Sequence, residues 1–337
     1  MNMNHIYRNA CLLLLGAGLL GACAKTADEG ANVSNQRYFD AWRAIYYPDA
    51  VPTADGIYLI EDKPGTGAVW DKDMSVTFLT YTVRNLDGTV SANTDEGWAR
   101  QLGTWDQTYY YGPQVTLTGE EASYAGVDAL LKGMRQGGTR TAIIPTWMMT
   151  YSRYNTVEEY LQHETEVSSF IYTVTFIDQA DNLPEYQFEQ MRAYSRDRWN
   201  VTDTLSTAAV FFASHLRPSS KDMPKDTTVY INYTGRRIYD DQVFDTTIAD
   251  TAKFYHIYDP SKTYSPVPVT MAEKVAEIKL NSNTVIDGFA HGLAAMHPEE
   301  KASFVFGYNL GYGSSGSGNL IPAYAALRFD VEMVPEP

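Results

Sequence analysis

The chain of 337 residues is 44% hydrophobic and 20% charged, a globular composition with length for about two modest cores. Its 41 acidic residues against 26 Lys and Arg leave a formal charge of −15, a surface that repels phosphate backbones and excludes nucleic acid as a partner. The only cysteines are Cys11 and Cys23, which excludes a disulfide scaffold or a cysteine-rich metal site in the body of the protein.

At the N-terminus, Arg8, the apolar run Leu12 to Leu20 and the small residues Gly21 and Ala22 read as a signal peptide over residues 1–22. Leucine, two small residues and then Cys23 resembles a bacterial lipobox. That resemblance implies that Cys23 is the acylated first residue of the mature chain, held to a membrane through its lipid in the bacterial cell envelope, on a periplasmic or surface face of the outer membrane. Lipid chains contribute about 0.8 kcal/mol per buried methylene, so several acyl chains anchor stably. The apolar run is too short to span a bilayer, and no other approaches the roughly 20 residues required. Loss of residues 1–22 removes Arg8 and no acid, which moves the charge from −15 to −16.

Residues 23–35 are small and polar and read as a tether. Ser34 or Asn35 is placed to cap a short helix carrying Phe39, Trp42 and Ile45 or Tyr46 at helical spacing, ended by Pro48. Gly56 to Ile60 and Val76 to Tyr81 read as strands, with Pro64-Gly65-Thr66-Gly67 as a turn between them. A helix is expected from Tyr124 to Met134, then strands at Thr141 to Ile144 and Phe170 to Ile177. This gives one domain over 36–180 with an N-terminal helix and a helical connector over 181–200.

The same order repeats over 201–337, the mark of an internal duplication. Val210-Phe211-Phe212 and Val229 to Tyr233 read as strands. Ile286, Phe289, Leu293 and Met296 form one apolar helical face. The chain closes on a run in which Leu327, Phe329, Val331 and Met333 alternate with Arg328, Asp330 and Glu332, as in a half-buried antiparallel strand. The fold class expected is α+β, two similar domains, each a bent antiparallel β-sheet wrapped on a short α-helix.

The second domain carries an ordered set of motifs: Asn232-Tyr233-Thr234-Gly235, Val243-Phe244-Asp245, Val285-Ile286-Asp287-Gly288-Phe289, Gly311-Tyr312-Gly313, Leu320-Ile321-Pro322 and Phe329-Asp330-Val331-Glu332. Laid out in this order it resembles the FKBP-type peptidyl-prolyl cis-trans isomerases. The resemblance implies a shallow aromatic cup with Phe289 as floor, Tyr233, Phe244 and Phe329 as walls, Val285 and Ile286 as wall aliphatics and Tyr312 on a flap. It further implies that the Tyr312 hydroxyl and the Ile286 N–H hold substrate carbonyls while Asp245 lies near the reacting amide. The implied function is isomerisation of proline-containing polypeptide clients as a folding helper, with no cofactor and no metal. The alternative these residues leave open is a non-catalytic binding or assembly protein.

Three departures from the family pattern stand out. Phe289 replaces the usual Trp, Ser317 stands where His is frequent, and the stretch 246–284 holds an insert with Phe254, Tyr255, Tyr258 and Tyr264. The insert has three roles open to it: covering the cup, extending a substrate groove, or mediating self-association. The first domain resembles the family through Leu86-Asp87-Gly88, Gly126 to Met134, Ile143-Ile144-Pro145, Tyr81 and Tyr172, but Val127 stands at the floor and Ser91-Ala92 where Phe-Asp belongs, so this copy reads as non-catalytic. Other chemistries lack their residues. His256, His291 and His297 have no metal-ligand spacing, Glu120-Glu121 and Glu299-Glu300 read as solvated faces, and neither a Gly-x-Ser-x-Gly elbow nor a His-Glu-x-x-His helix occurs.

Overall fold

The computed structural model describes residues 30–118, 123–163 and 168–337. The expected signal peptide and Cys23 lie outside them. In chain order the strands are β1 (Tyr58–Lys63), β2 (Val76–Asn85), β3 (Val90–Asn93), β4 (Gln114–Leu117), β5 (Thr139–Ile144), β6 (Phe170–Ala180), β7 (Val210–Leu216), β8 (Thr228–Arg237), β9 (Val243–Thr246), β10 (Val267–Thr270), β11 (Lys279–Leu280), β12 (Asn283–Thr284), β13 (Lys301–Phe306) and β14 (Leu327–Val334). The helices are α1 (Ala31–Tyr46), α2 (Glu96–Leu102), α3 (Ala125–Leu131), α4 (Val157–Tyr160), α5 (Leu183–Trp199), α6 (Ala249–Phe254) and α7 (Asp287–Ala294).

Two antiparallel sheets organise the chain. The first runs β1-β5-β6-β2-β3, with β4 also paired to β2; the second runs β12-β11-β10-β8-β14-β13-β7, with β9 also paired to β8. The order β7-β13-β14-β8-β9 repeats β1-β5-β6-β2-β3, and β10 repeats β4. Each sheet packs on one short helix, α3 in the first and α7 in the second, through separate buried cores. The duplication extends to single hydrogen bonds. Tyr81 N–H donates to Thr94 Oγ1 at 2.9 Å, and Tyr233 N–H donates to Thr247 Oγ1 at 2.9 Å. A bulge follows Val83 opposite Ala92, and the same bulge follows Gly235 opposite Asp245.

A glycine sets how closely each helix approaches its sheet. A Cβ on Gly126 would lie 2.2 Å from Ile144 Cγ2, and one on Gly288 would lie 2.2 Å from the Phe306 ring. Without a side chain there, the helix can sit directly on the strand. The alternation along β14 places Leu327, Phe329, Val331 and Met333 in the core, with Arg328, Asp330 and Glu332 half-buried on the other face.

Several element ends differ from the expectations. Helix α1 begins at Ala31, ahead of Ser34 and Asn35, so residues 31–35 are helix and not tether. The buried Asn32 amide, which donates to the Tyr160 carbonyl at 2.8 Å, fastens this first turn to the domain. Phe39 and Trp42 are buried as expected, but Ile45 and Tyr46 are 72% and 65% exposed; the Tyr46 ring still lies 5.4 Å from Trp42, as does that of Tyr47 just past the helix. Helix α3 spans seven residues and stops before Met134, because Gly133 turns the chain at φ 74°. The expected insert is not all loop, since the short strands β10, β11 and β12 extend the second sheet beyond β8.

Candidate functional site

The second sheet and α7 bring the motif residues to one corner. Gly235 on β8 lies opposite Asp245 on β9 and opposite Phe329 on β14, while Tyr233 lies two residues back on the same face. Gly235 is required by this convergence: a Cβ there would lie 2.6 Å from the Phe244 ring and 2.9 Å from the Phe329 ring. Phe289, in the first turn of α7, meets Phe329 at 4.6 Å between ring centroids and Tyr233 edge-on at 5.7 Å. Phe244 meets Phe329 edge-on at 5.7 Å, and Phe306 stacks behind Phe329 at 5.8 Å. These tilted and edge-on pairs are the arrangements that ring quadrupoles favour. The four site rings are buried. The rim is more open: Val285 and Ile286 are half-buried, and Tyr312 is 37% exposed.

Polar groups are concentrated at one edge of the cup. The Tyr233 hydroxyl donates to Asp245 Oδ2 at 2.5 Å, and Lys262 pairs with Asp245 Oδ1. Burial, and then the Asp245 charge, raises both Tyr233 and Tyr312 above the ordinary phenol value, so both remain protonated donors well past neutrality. Ile286 is the extended residue immediately before α7, and its carbonyl accepts from Phe289 and Ala290. The flap is a closed turn. Ser317 and Ile321 exchange backbone hydrogen bonds of 2.8 and 3.2 Å, and Gly316 at φ 65° allows the Ile321 carbonyl to approach. All eight expected site residues, Tyr233, Phe244, Asp245, Val285, Ile286, Phe289, Tyr312 and Phe329, therefore surround one corner of the sheet.

Lys262 is a site residue that sequence reasoning missed. It sits in the insert 17 residues beyond Asp245, in a stretch where Tyr258 and Tyr264 stack at 5.1 Å, and no spacing rule connects a loop lysine to a strand carboxylate. The expectation for Glu300 also changes. Glu299 turns at φ 61° and Glu300 is fully buried, bonded to Ser214, Arg217 and the His297 N–H, so it is a structural carboxylate and not part of a solvated face. Glu120 and Glu121 lie outside the described residues.

In the first domain, the matched register puts Tyr81 at the place of Tyr233, Tyr172 at that of Phe329, Ser91 at that of Phe244 and Ala92 at that of Asp245. Val127, whose N–H bonds to the Tyr124 carbonyl as that of Phe289 bonds to Ile286, stands at the floor. No carboxylate remains at the position of Asp245.

Comparison with known proteins points in the same direction. The family profile described as FKBP-type peptidyl-prolyl cis-trans isomerase matches residues 219–334. FK506-binding protein 2 of Candida glabrata is 31% identical over 114 residues, 34% of this chain and 67% of that protein. The macrophage infectivity potentiator of Trypanosoma cruzi is 27% identical over 128 residues, 38% of this chain and 53% of that protein. Among solved structures, FkpA from Escherichia coli aligns at 24% identity over 45% of this chain and 58% of its own, with a TM-score of 0.31. Motifs, register and matched relatives agree, and the chain belongs to the FKBP-type peptidyl-prolyl cis-trans isomerase family.

Proposed function

We propose that the second domain isomerises Xaa-Pro bonds in polypeptide clients and that the chain serves as a folding helper for proteins of the bacterial envelope, tethered there through Cys23. The observation that carries the catalytic part is the cup itself: four buried aromatic rings, with a carboxylate and two protonated phenols gathered along one edge. The barrier to prolyl rotation, about 18–20 kcal/mol, arises from amide resonance that is lost when the bond twists. The twisted amide is less dipolar than the planar one. A buried aromatic surface therefore penalises it less, and every contact made better in the twisted form lowers the barrier selectively. Each tenfold in rate needs about 1.4 kcal/mol, so a few such contacts give a useful enzyme without nucleophile or metal.

In this reading the Tyr312 hydroxyl and the Ile286 N–H hold the carbonyls that flank the proline, and Asp245 faces the reacting amide. The Tyr233 hydrogen bond fixes the rotamer of Asp245. Of the three roles open to the insert, covering the cup gains support from the Lys262 contact to Asp245.

The test is isomerisation of short Xaa-Pro peptides by the full chain, with Phe244→Ala and Asp245→Ala beside the wild type. The expected result is catalysis that falls at least tenfold in both. A wild type no faster than the uncatalysed reaction would replace this reading with that of a non-catalytic binding or assembly protein. Placement in the envelope has its own check: metabolic labelling with palmitate, which Cys23→Ser should abolish.

A further inference from the structure

The corner of the first sheet that corresponds to the catalytic cup holds a pocket of about 610 Å³. That is within the ~300–1,000 Å³ typical of ligand sites. Its size has a cause in the sequence. Where the second domain has Phe289, Phe244 and Asp245, the first has Val127, Ser91 and Ala92, and two rings and a carboxylate are gone. Val83, in place of Gly235, returns only part of that volume. The Tyr81 and Tyr172 walls, Tyr124 at the head of α3 and Met149 hold the space open.

Among the described residues, no charged side chain lines this pocket. Tyr172 is pushed up to about 12 by burial and then by the neighbouring tyrosines, Tyr81 is raised by burial, and Tyr124 is raised by its bond to Tyr151, whose ring lies 4.5 Å away. The phenols thus stay neutral, with apolar rings facing inward and hydroxyls able to bond peptide groups. Against these described side chains a charged ligand would lose its hydration without gaining a partner. A prolyl ring would leave much of the enlarged volume unfilled and forfeit the contacts that make a tight fit.

We propose that this pocket is a second, non-catalytic client site that takes one bulky uncharged apolar side chain, aromatic or branched aliphatic, from an extended polypeptide. The inference rests on the client class proposed for the second domain. It assigns the first domain a holding role: a client gripped by an apolar residue here presents its prolines to the cup at the high effective concentration of an intramolecular encounter.

The experiment uses the full chain and fluorescein-labelled ten-residue peptides of alanine and glycine with one central Trp, Pro or Lys. Val127→Trp fills the pocket from its floor, and Ser91→Phe fills it from β3. The Trp peptide is expected to bind at least tenfold more tightly than the Pro or Lys peptide, and to lose at least tenfold in either folded variant while isomerisation of Xaa-Pro peptides is unchanged. Undiminished Trp-peptide affinity in a folded variant, or equal affinity for the Lys peptide, overturns the proposal. If neither variant folds, a diazirine on the central side chain decides: adducts on Tyr81, Val127 or Tyr172 support the site, and adducts confined to residues 201–337 overturn it. A wild type that binds the Trp peptide at this pocket but isomerises nothing leaves this inference standing and removes the catalytic reading.

Discussion

The guanidinium of Arg237, at the end of β8, donates to the Thr108 carbonyl of the other domain at 2.9 Å from a fully buried position. The same group donates to the Leu320 carbonyl in the flap at 2.6 Å and grips Asp240 through two bonds. Around it, Asn319 donates to the Tyr109 hydroxyl at 2.6 Å, and Tyr110 lies 5.8 Å from Tyr239. The loop before β4 therefore braces the flap that carries the rim of the cup. Arg237→Met keeps most of the volume but leaves Asp240 and two carbonyls short of a donor. Because Asp240 is one third exposed, the cost should lie near the lower end of the range for a broken buried ion pair, about 3 kcal/mol. Urea unfolding gives the stability change, and amide exchange the local one. Exchange at residues 313–322 should accelerate, and unaltered protection there would mean that the flap holds itself.

Gly235 offers a test of how closely the cup is packed. A methyl group at this position would press on Phe244 and Phe329, and overpacking of this kind costs about 1–3 kcal/mol. Gly235→Ala should lower the melting temperature and reduce kcat/KM for Xaa-Pro peptides at least tenfold. The double variant Gly235→Ala with Phe244→Ser copies the pairing in the first domain, where Val83 has Ser91 beside its partner. It relieves the clash but removes a buried ring, a loss of about 3–5 kcal/mol, so it should be less stable than Gly235→Ala and inactive, whereas full activity in Gly235→Ala would show that the rings are free to shift.

Much of the second domain was legible because its signals are local. The strict alternation from Leu327 to Met333 fixes which face of β14 is buried, and the tripeptides ending in Gly235 and Asp245 mark two strands that must meet. The first domain was legible as a relative but not as a site, since a pocket formed by missing side chains leaves no motif. Tyr81 and Tyr172 announced two walls, and Val127, Ser91 and Ala92 the missing floor and wall; that their absence leaves an open pocket took the tertiary structure to see. Lys262 and Arg237 were beyond reach for a different reason. Each acts across a long loop or between domains, where the pairing is set by tertiary geometry and no period or spacing encodes it. The start of α1 was missed because residues 30–35 are mostly small and polar, and the bond from the buried Asn32 amide to Tyr160, which orders the first turn, is a tertiary contact that no local spacing encodes.

Lys262 sits on the carboxylate that the proposed mechanism directs toward the substrate. Both partners of this ion pair are about two fifths exposed, so the contact is worth no more than the ~0.2–1 kcal/mol of a surface pair. Its removal by Lys262→Met should free Asp245 and raise kcat/KM by about 1.4- to fivefold, the rate equivalent of that energy. Added salt weakens the same contact, so the wild type should speed up modestly with ionic strength and the variant should not. A fall in kcat/KM in Lys262→Met would assign the lysine a direct role in substrate binding.

Glu300 makes the stability of the second domain sensitive to acid. Burial by itself would raise its carboxyl, but the Ser214 hydroxyl, the His297 N–H at 2.6 Å and Arg217 at 2.9 Å together hold it below the ordinary 4.5. A carboxyl lowered on folding contributes stability that is complete above its unfolded value and is lost as pH falls through its folded value. Unfolding free energy should therefore be level with respect to this group near neutrality and decline below pH 4.5. Glu300→Gln cannot take up that proton. At pH 7 it should be less stable than the wild type by about 1–3 kcal/mol, the cost of a buried hydrogen-bonding set left partly unmet. The gap should narrow as the pH falls below 4.5, when the wild type loses the same interactions. Chemical unfolding of both proteins across this range decides the point: parallel curves would show that the carboxylate is not the acid-labile element of this fold.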